Sequence, residues 1–315
     1  MTCETERRPV PAPLLVLGSV VSIQAGQACG KGMFAIAGTA GVVVLRLGFA
    51  AAVLLLLRRP PFPRGSLGLT IALGAAIAGM HLIYPAMQRL PVGVASAFQF
   101  LGPLTLALVK ARRPVDLLWA ALAGTGVFLM DGPGGAPVSA SGIALAVGSG
   151  ACMAAYLVLN KRAGAEPGSP LAWGVAVAAL IVLPLAPSAG GTLAHPGVLA
   201  AGLGLAVLSA VLPWSLDQAA LRRMPERTVA VMVSLEPAAG AVAGLVLLGE
   251  HLAWTQWLAI ACVSAASAGA AGAARSRSVR GADPGACRRT SSADRRPEAG
   301  SPCGRRSPGR SCCGR

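Results

Sequence analysis

The residues best suited to chemistry in this sequence are ionisable side chains that stand inside long apolar runs. A charge in such a run is costly in hydrocarbon, so it usually faces a cavity or a partner. Glu236 directly precedes Pro237, which lacks a backbone donor and leaves a carbonyl free in the preceding turn. A carboxylate at such a break can bind a substrate ammonium group or take up a proton. The alternative, in which Glu236 bonds to nearby backbone or to a basic residue, is equally favoured.

Three further ionisable residues, Asp217, Arg46 and His81, lie in or at the end of apolar runs. For Asp217, a structural ion pair with Arg46, or with Arg222 and Arg223, is favoured over a coupling role. Arg46 can hold a substrate carboxylate with its planar guanidinium or act as a counter-ion. Histidine can change its charge near neutral pH, but a hydrogen bond between helices is the favoured interpretation of His81.

Neutral polar groups also interrupt the apolar runs at Gln24, Gln27 and Gln99. Such amides can line a polar path through a membrane protein. They can equally join neighbouring helices by hydrogen bonds worth about 1 kcal/mol each. Both interpretations stay open at this point.

The apolar runs are the elements that must position these groups. The chain is 54% hydrophobic and 12% charged, with a mean hydropathy of +0.65, whereas soluble domains are about one-quarter charged. Runs of 16 to 21 residues recur, and a helix needs about 20 residues to cross hydrocarbon. A closed barrel would instead alternate apolar and polar residues. We therefore predict an all-α membrane protein of ten transmembrane helices. The predicted spans are residues 14–30, 39–57, 66–86, 92–109, 115–130, 140–159, 170–186, 197–216, 228–248 and 252–272.

Basic residues are distributed unevenly between the two sides that these spans define. With a cytoplasmic N-terminus, thirteen Lys and Arg before residue 273 lie inside, whereas Lys31 and Arg89 lie outside and Arg46 lies in a span. Basic residues favour the cytoplasmic side of short loops. We therefore predict a multi-pass protein of the cell inner membrane with both termini in the cytoplasm.

The two halves of the chain repeat. Residues 89–91 (Arg-Leu-Pro) recur 134 residues later at 223–225 (Arg-Met-Pro), and Pro103 recurs at the same offset as Pro237. With five spans per repeat, the second copy lies inverted in the membrane, a common construction of secondary transporters. The predicted organisation is a cytoplasmic N-terminus at 1–13, five-helix repeats at 14–130 and 139–272, and a disordered basic cytoplasmic tail at 273–315.

Signatures of other function classes are missing from the sequence. It contains no HExxH, GxSxG, GxxxxGK[ST] or paired-aspartate motif, so neither an enzyme nor an ATP motor is predicted. The cysteines have no CxxC spacing and no histidine partners, so no metal site and no cofactor are predicted. The formal charge of +15 comes largely from eleven arginines in the tail, a placement that argues against nucleic acid. A solvated tail without a specific role is favoured over one that lies on anionic lipid.

Seven segments within residues 13–272 carry a resemblance to a known family. They are SIQAGQACGKGMF from Ser22, GVVVLRL from Gly41, FQFLGP from Phe98, RRPVDLLW from Arg112, LNKRAGAEPG from Leu159, LPWSLDQAALRRMP from Leu212 and VSLEPAAGAVAG from Val233. With these segments the chain resembles the drug/metabolite transporter superfamily with its paired EamA domains, and within it the threonine/homoserine exporter group.

The resemblance implies an inverted-repeat fold of ten helices with a central cavity. It also implies proton-driven export of amino acids such as threonine and homoserine from the cytoplasm. The residues that it suggests for the cavity or for coupling are Ser22, Gln24, Lys31, Arg46, Asp217 and Glu236. The sequence departs from the family pattern at Gln99 and His81, where relatives often carry an acidic residue and an asparagine.

We therefore expect a proton-coupled exporter of small polar amino acids whose partners are its substrate, protons and membrane lipid. Small-residue stretches such as Gly26xxxGly30 permit close helix approach and so also a homodimer. Export of another metabolite or of a drug-like cation by the same fold is the alternative. A membrane enzyme or a lipid-handling scaffold is a remote alternative.

Overall fold

The computed structural model describes residues 11–109, 114–129, 139–163 and 170–273, and these residues form helices and no strand. The α-helices are α1 (Ala12–Gly32), α2 (Phe34–Arg58), α3 (Leu67–Met80), α4 (Ile83–Met87), α5 (Val92–Val109), α6 (Pro114–Leu129), α7 (Ala140–Ala163), α8 (Pro170–Val182), α9 (Pro196–Ala206), α10 (Leu212–Leu221), α11 (Glu226–Val233), α12 (Glu236–Leu248) and α13 (Trp254–Ala273). Two 3₁₀ segments, Arg64–Ser66 and Leu183–Ala194, and one π-helical turn, Val207–Val211, lie between them.

Eight helical segments of the described ranges are long and apolar enough to cross a bilayer, and a shorter apolar helix covers Leu117–Leu129. They are Ala12–Gly32, Phe34–Leu57, Arg64–Met87, Val92–Val109, Ala140–Ala163, Pro170–Ala194, Pro196–Asp217 and Thr228–Leu248. The prediction of an all-helical membrane protein is therefore confirmed. The count of ten spans and the arrangement as two repeats stay predictions.

Large apolar side chains cover the outside of the helices. Leu57 is 74% exposed, Val246 is 72% exposed and Phe128 is 83% exposed. Extended apolar patches of this kind would cause association in water but are satisfied by lipid. Hydrocarbon around the helices therefore explains a surface that water would not tolerate.

The largest interfaces join helices of the first half of the chain to helices of the second half. The pairs are α3 with α7 and α8, α5 with α7 and α12, α1 with α10 and α12, α2 with α8 and α9, and α6 with α13. Because the halves interleave in this way, residues that are far apart in sequence meet in the interior.

The repeated Arg-x-Pro motif forms the same local structure twice. The amides of Arg89 and Leu90 both donate to the Ala86 carbonyl, and 134 residues later the amides of Arg223 and Met224 both donate to the Ala220 carbonyl. Each motif ends the preceding helix, and its proline immediately precedes the next helix. The sequence repeat is thus also a repeat of backbone geometry.

Interruptions of the helices in the described ranges place three of the polar residues. His81 follows the last residue of α3, Ser209 lies in the π-helical turn, and Glu236 begins α12 after a break at residues 234–235. Pro237 therefore lies in the first turn of a new helix, where its missing N–H is tolerated, and the predicted break is realised as two separate helices. Irregular backbone in a membrane is tolerated where it is buried in protein or lines a cavity.

Several predictions concern residues outside the described ranges. These are the terminal residues 1–10, the basic loop at 110–113 and the tail at 274–315.

Candidate functional site

Arg46 forms the centre of a partly buried polar cluster between α2 and the π-helical turn. Its Nε donates to the Ser209 hydroxyl at 2.6 Å, and its Nη2 donates to the Ser209 carbonyl at 2.9 Å. Its Nη1 lies 2.5 Å from Nε2 of His81, and the guanidinium carbon lies 5.6 Å from the centre of the Tyr84 ring. All of these partners are neutral, and Arg46 meets no carboxylate among the described residues. The guanidinium charge is therefore held in place without being neutralised.

His81 links this cluster to α3. Arginine can only donate, so Nε2 of His81 must accept the bond from Arg46. Its Nδ1 lies 2.7 Å from the Ile77 carbonyl, which can only accept, so Nδ1 carries the proton. The His81 ring stacks on the Tyr84 ring with centroids 6.0 Å apart. The geometry thus fixes one neutral tautomer of His81, which serves as an acceptor for Arg46.

The two acidic residues of the spans lie near each other on another side of α1. Glu236 lies near the side chain of Gln24, whose Oε1 accepts from the Ser96 hydroxyl at 3.4 Å. Asp217 lies within electrostatic reach of Glu236 and near Ser19, whose hydroxyl donates to the Pro213 carbonyl at 3.3 Å. The helix N-terminus that begins at Glu236 favours a carboxylate at that position. These residues form a pair of neighbouring carboxyl groups beside α1.

Helix α1 connects the two clusters. An α-helix turns by about 100° per residue, so Ser22, Gly26 and Gly30 lie along one stripe. Gln27 lies about 60° beyond Gly30 around the helix, and Gln24 lies about 60° beyond Gln27. The first stripe packs on the π-helical turn: the Ser22 hydroxyl donates to the Leu208 carbonyl at 2.5 Å. A Cβ added to Gly26 would lie only 2.5 Å from the Cβ of Ser209. Because Gly26 has no side chain, α1 approaches the residue that holds Arg46.

Gln99 takes part in a separate network between α5, α7 and the end of α3. Its Nε2 donates to the Ser149 hydroxyl at 2.7 Å, and that hydroxyl donates to the Met80 carbonyl at 2.5 Å. The freed carbonyl at the α3 break is thereby satisfied. This arrangement favours the helix-joining interpretation of Gln99.

Lys31 lies at one end of the helices, away from the acidic pair. Its Nζ lies 2.6 Å from Oε1 of Glu250 and donates to the Leu90 carbonyl at 2.8 Å. The second oxygen of Glu250 accepts from the Val92 amide at 2.8 Å, at the N-terminus of α5. One ion pair therefore ties the end of α1 to the start of α5 and to the segment after α12.

Buried polar atoms without a protein partner occur beside the Arg46 cluster. They include Oε1 of Gln27 and Oη of Tyr84, and Oδ1 of Asp217 is a further case in the acidic pair. Gln27 is 7% exposed and Tyr84 is fully buried. Each such atom in a native structure needs a physical explanation, such as a ligand, a water or a functional role.

A cavity of about 260 Å³ reaches this cluster from one side. Its polar lining consists of Thr39, His81 and Gln88, and Gln88 donates to the Thr39 hydroxyl across it. Pockets for drug-sized ligands have volumes of roughly 300–1,000 Å³, so this space suits a smaller solute. Gln88 lies two residues before Leu90, so the cavity opens toward the end of the helices that carries Lys31.

The structure brings Arg46 and His81 together and places Glu236, Asp217 and Gln24 in a second group. It does not pair Arg46 with Asp217, and Gln99 and Lys31 lie elsewhere. Sequence analysis did not identify Tyr84, Ser209 or Glu250, because an isolated tyrosine, serine or loop glutamate gives no pattern. Among the described residues no group of three or more His, Cys, Asp or Glu is arranged to hold a metal.

Comparisons with known proteins identify the family. Residues 140–271 match the model of the EamA-like transporter family. The chain is 41% identical over 274 residues to the threonine/homoserine exporter RhtA of Salmonella typhimurium. This alignment covers 84% of this chain and 93% of that relative. The chain is 40% identical over 268 residues to RhtA of Escherichia coli K12, and this alignment covers 82% of this chain and 91% of that relative. The chain belongs to the EamA-like transporter family.

Membership of this family makes the chain a multi-pass membrane transporter and not an enzyme, as the missing catalytic motifs predicted. The stated resemblance to the EamA superfamily and its exporter group is confirmed. A solved crystal structure with 17% identity aligns with a TM-score of 0.56, covering 86% of this chain and 99% of the other. That likeness concerns the fold alone.

Proposed function

We propose that the protein exports small polar amino acids of the threonine and homoserine type from the cytoplasm across the inner membrane. The proposal draws on the RhtA exporters, to which the chain is 40–41% identical over more than four-fifths of its length. The observation that carries it within the molecule is Arg46. A half-buried guanidinium among neutral partners is suited to an anionic group that arrives from outside the protein.

An amino acid carries both a carboxylate and an ammonium group. Of the two clusters around α1, one contains a guanidinium and the other contains two carboxyl groups. Arg46 receives the carboxylate, because its planar fork bonds carboxylates in a bidentate manner. Glu236 and Asp217 receive the ammonium group, with Gln24 as a neutral neighbour. A drug-like cation would be attracted by the acidic pair but repelled by Arg46, so the arrangement favours a zwitterion.

Proton coupling follows from the same acidic pair. A carboxylate that binds an ammonium group cannot hold a proton at the same place, so substrate and proton compete for Glu236 or Asp217. A carrier that crosses either with substrate or with a proton exchanges the two in opposite directions. The proton gradient, acidic outside, then drives export.

We further propose the inverted repeat, with both termini cytoplasmic. In this repeat, each interface of the first half has a counterpart in which the two halves are exchanged. The equivalent elements are α1 and α7, α2 and α8, α3–α4 and α9–α10, and α5 and α11–α12. Thus α5 on α7 corresponds to α12 on α1, and α3 on α8 corresponds to α9 on α2. The two identical Arg-x-Pro turns support the same assignment. Transporters built in this way expose a central site alternately to each side.

Export by cells tests the substrate. A host that is sensitive to threonine or homoserine, expressing this chain, should grow at higher concentrations and retain less of the labelled amino acid. Arg46→Gln should abolish this protection. Arg89→Gln is the matched control, because Arg89 is exposed and its side chain bonds to the Pro85 carbonyl of its own turn. Unchanged sensitivity with verified expression of the wild-type chain would rule out these substrates.

Coupling is tested in vesicles with two assays. Exchange of labelled for unlabelled substrate needs no gradient, whereas net transport does. If Glu236 carries the proton, Glu236→Gln keeps measurable exchange but loses the response to an imposed pH gradient, and Asp217→Asn does so if Asp217 is the carrier. Full gradient-driven transport in both variants would contradict proton coupling through this pair.

A further inference from the structure

Gln27 and Tyr84 are buried polar residues that the assignment of Arg46, Glu236 and Asp217 leaves unused. Oε1 of Gln27 and Oη of Tyr84 have no hydrogen-bond partner among the described residues. Leaving a buried acceptor or hydroxyl unsatisfied is costly, so such an atom needs an explanation such as a bound ligand or water.

Tyr84 lies next to Arg46, and Gln27 lies on the neighbouring part of α1. A Cβ added to Gly30 would lie 2.9 Å from Cε1 of Tyr84, and Gln27 precedes Gly30 by three residues, one turn of α1. The Tyr84 ring also lies against the Arg46 guanidinium, at 5.6 Å from its centre. Tyr84 therefore borders the proposed carboxylate site, and Gln27 lies one turn of α1 from the glycine on which Tyr84 packs.

We propose that Gln27 and Tyr84 form a hydroxyl-recognising subsite, which selects hydroxylated small amino acids over their apolar isosteres. This inference rests on the proposed function. A substrate hydroxyl is both a donor and an acceptor. It donates to Oε1 of Gln27, which can only accept, and it accepts from the phenolic O–H of Tyr84. An aliphatic side chain satisfies neither atom.

The expected selectivity follows from the chemistry of such sites. An apolar pocket discriminates weakly between isosteres with and without a hydroxyl, by about 100-fold at most, whereas a site built to bond a hydroxyl rejects the analogue by up to about 10⁴–10⁵-fold. Threonine and valine have nearly the same shape, and so do homoserine and norvaline. Preference within each pair therefore isolates the hydroxyl.

The test is competition in reconstituted vesicles that exchange labelled threonine. The measured quantity is the ratio of valine to threonine concentrations that halve the exchange. The ratio should fall at least tenfold in Tyr84→Phe and in Gln27→Met, each of which removes the bonding atom with little change of size. Thr125→Val is the control, because it deletes a hydroxyl that bonds within its own helix, and it should keep the wild-type ratio.

The outcomes separate this inference from the proposed function. A wild-type protein that exchanges no threonine refutes the proposed function before selectivity is measured. If the wild-type protein exchanges threonine and both Tyr84→Phe and Gln27→Met keep the wild-type ratio within twofold, the subsite is refuted. That result would mean that water, and not substrate, satisfies the two atoms. Gln27→Met decides the question alone if Tyr84→Phe fails to fold.

Discussion

The ion pair of Lys31 and Glu250 should stabilise the fold, and exchanging the two residues should not preserve this effect. Lys31 bonds to Glu250 and to the Leu90 carbonyl, and Glu250 also accepts from the Val92 amide. The side chains are 22% and 15% exposed. Exposed pairs contribute about 0–1 kcal/mol, whereas removing one partner of a fully buried pair costs about 3–5 kcal/mol. We therefore expect Lys31→Met to lower the free energy of unfolding by about 2 kcal/mol.

Glu250→Gln should cost less, about 1 kcal/mol, because the amide oxygen still accepts from the Val92 N–H. The double variant should cost less than the sum of the two single variants, with a coupling energy of about 1 kcal/mol. Reversal of the pair, Lys31→Glu with Glu250→Lys, should not restore stability. A lysine at position 250 cannot accept from Val92, and a glutamate at position 31 cannot donate to Leu90.

Chemical denaturation in mixed micelles measures the free energies of unfolding of these four variants and the wild-type protein. Gradient-independent exchange reports separately whether each variant keeps a working site. The reasoning fails if the coupling energy is below about 0.3 kcal/mol, the usual error of additivity. It fails equally if the reversed pair regains wild-type stability, since only a pair without its backbone bonds would allow that.

Two glycines make further predictions about the packing of the site. Gly26→Val should destabilise the protein by about 1–3 kcal/mol and abolish exchange, because the new Cβ would lie 2.5 Å from the Cβ of Ser209. Gly48→Ala is the control, because a Cβ at position 48 has open space, and it should change neither stability nor exchange. Gly249→Ala should cost about 1 kcal/mol because its φ of +67° favours glycine, and Gly249→Asn should cost less. Equal stabilities of the members of either pair, measured by denaturation, would contradict the respective argument.

Much of the fold could be predicted because backbone N–H and C=O groups in hydrocarbon must bond to each other, which restricts an apolar span to a helix. The span predicted at 92–109 coincides with α5, and the span predicted at 140–159 begins where α7 begins. The Arg-x-Pro repeat was visible as letters and recurs as two identical turns. Pro237 correctly indicated an interruption, but the sequence could not show that Pro103, its counterpart, would lie inside an unbroken helix.

The site was only partly predictable. A charged residue in an apolar span is rare and can be found in the sequence, but the sequence does not show which residues it contacts. Arg46 and Glu236 stood out since charges are scarce in the spans. Tyr84 and Ser209 did not, because their roles depend on a π-helical turn and on a close approach at Gly26 that involve residues more than a hundred positions apart. The expected partner of Arg46 was acidic, and the structure gives it neutral partners instead.

Transport by the purified protein tests the central claim most directly. Liposomes that contain only this chain are loaded with labelled threonine, and an acidic bath is applied on the side that corresponds to the cell exterior. We expect efflux that accelerates with the imposed pH gradient, vanishes in Arg46→Gln and is retained in Arg89→Gln. Efflux no faster than from protein-free liposomes, or equal in both arginine variants, would contradict the account.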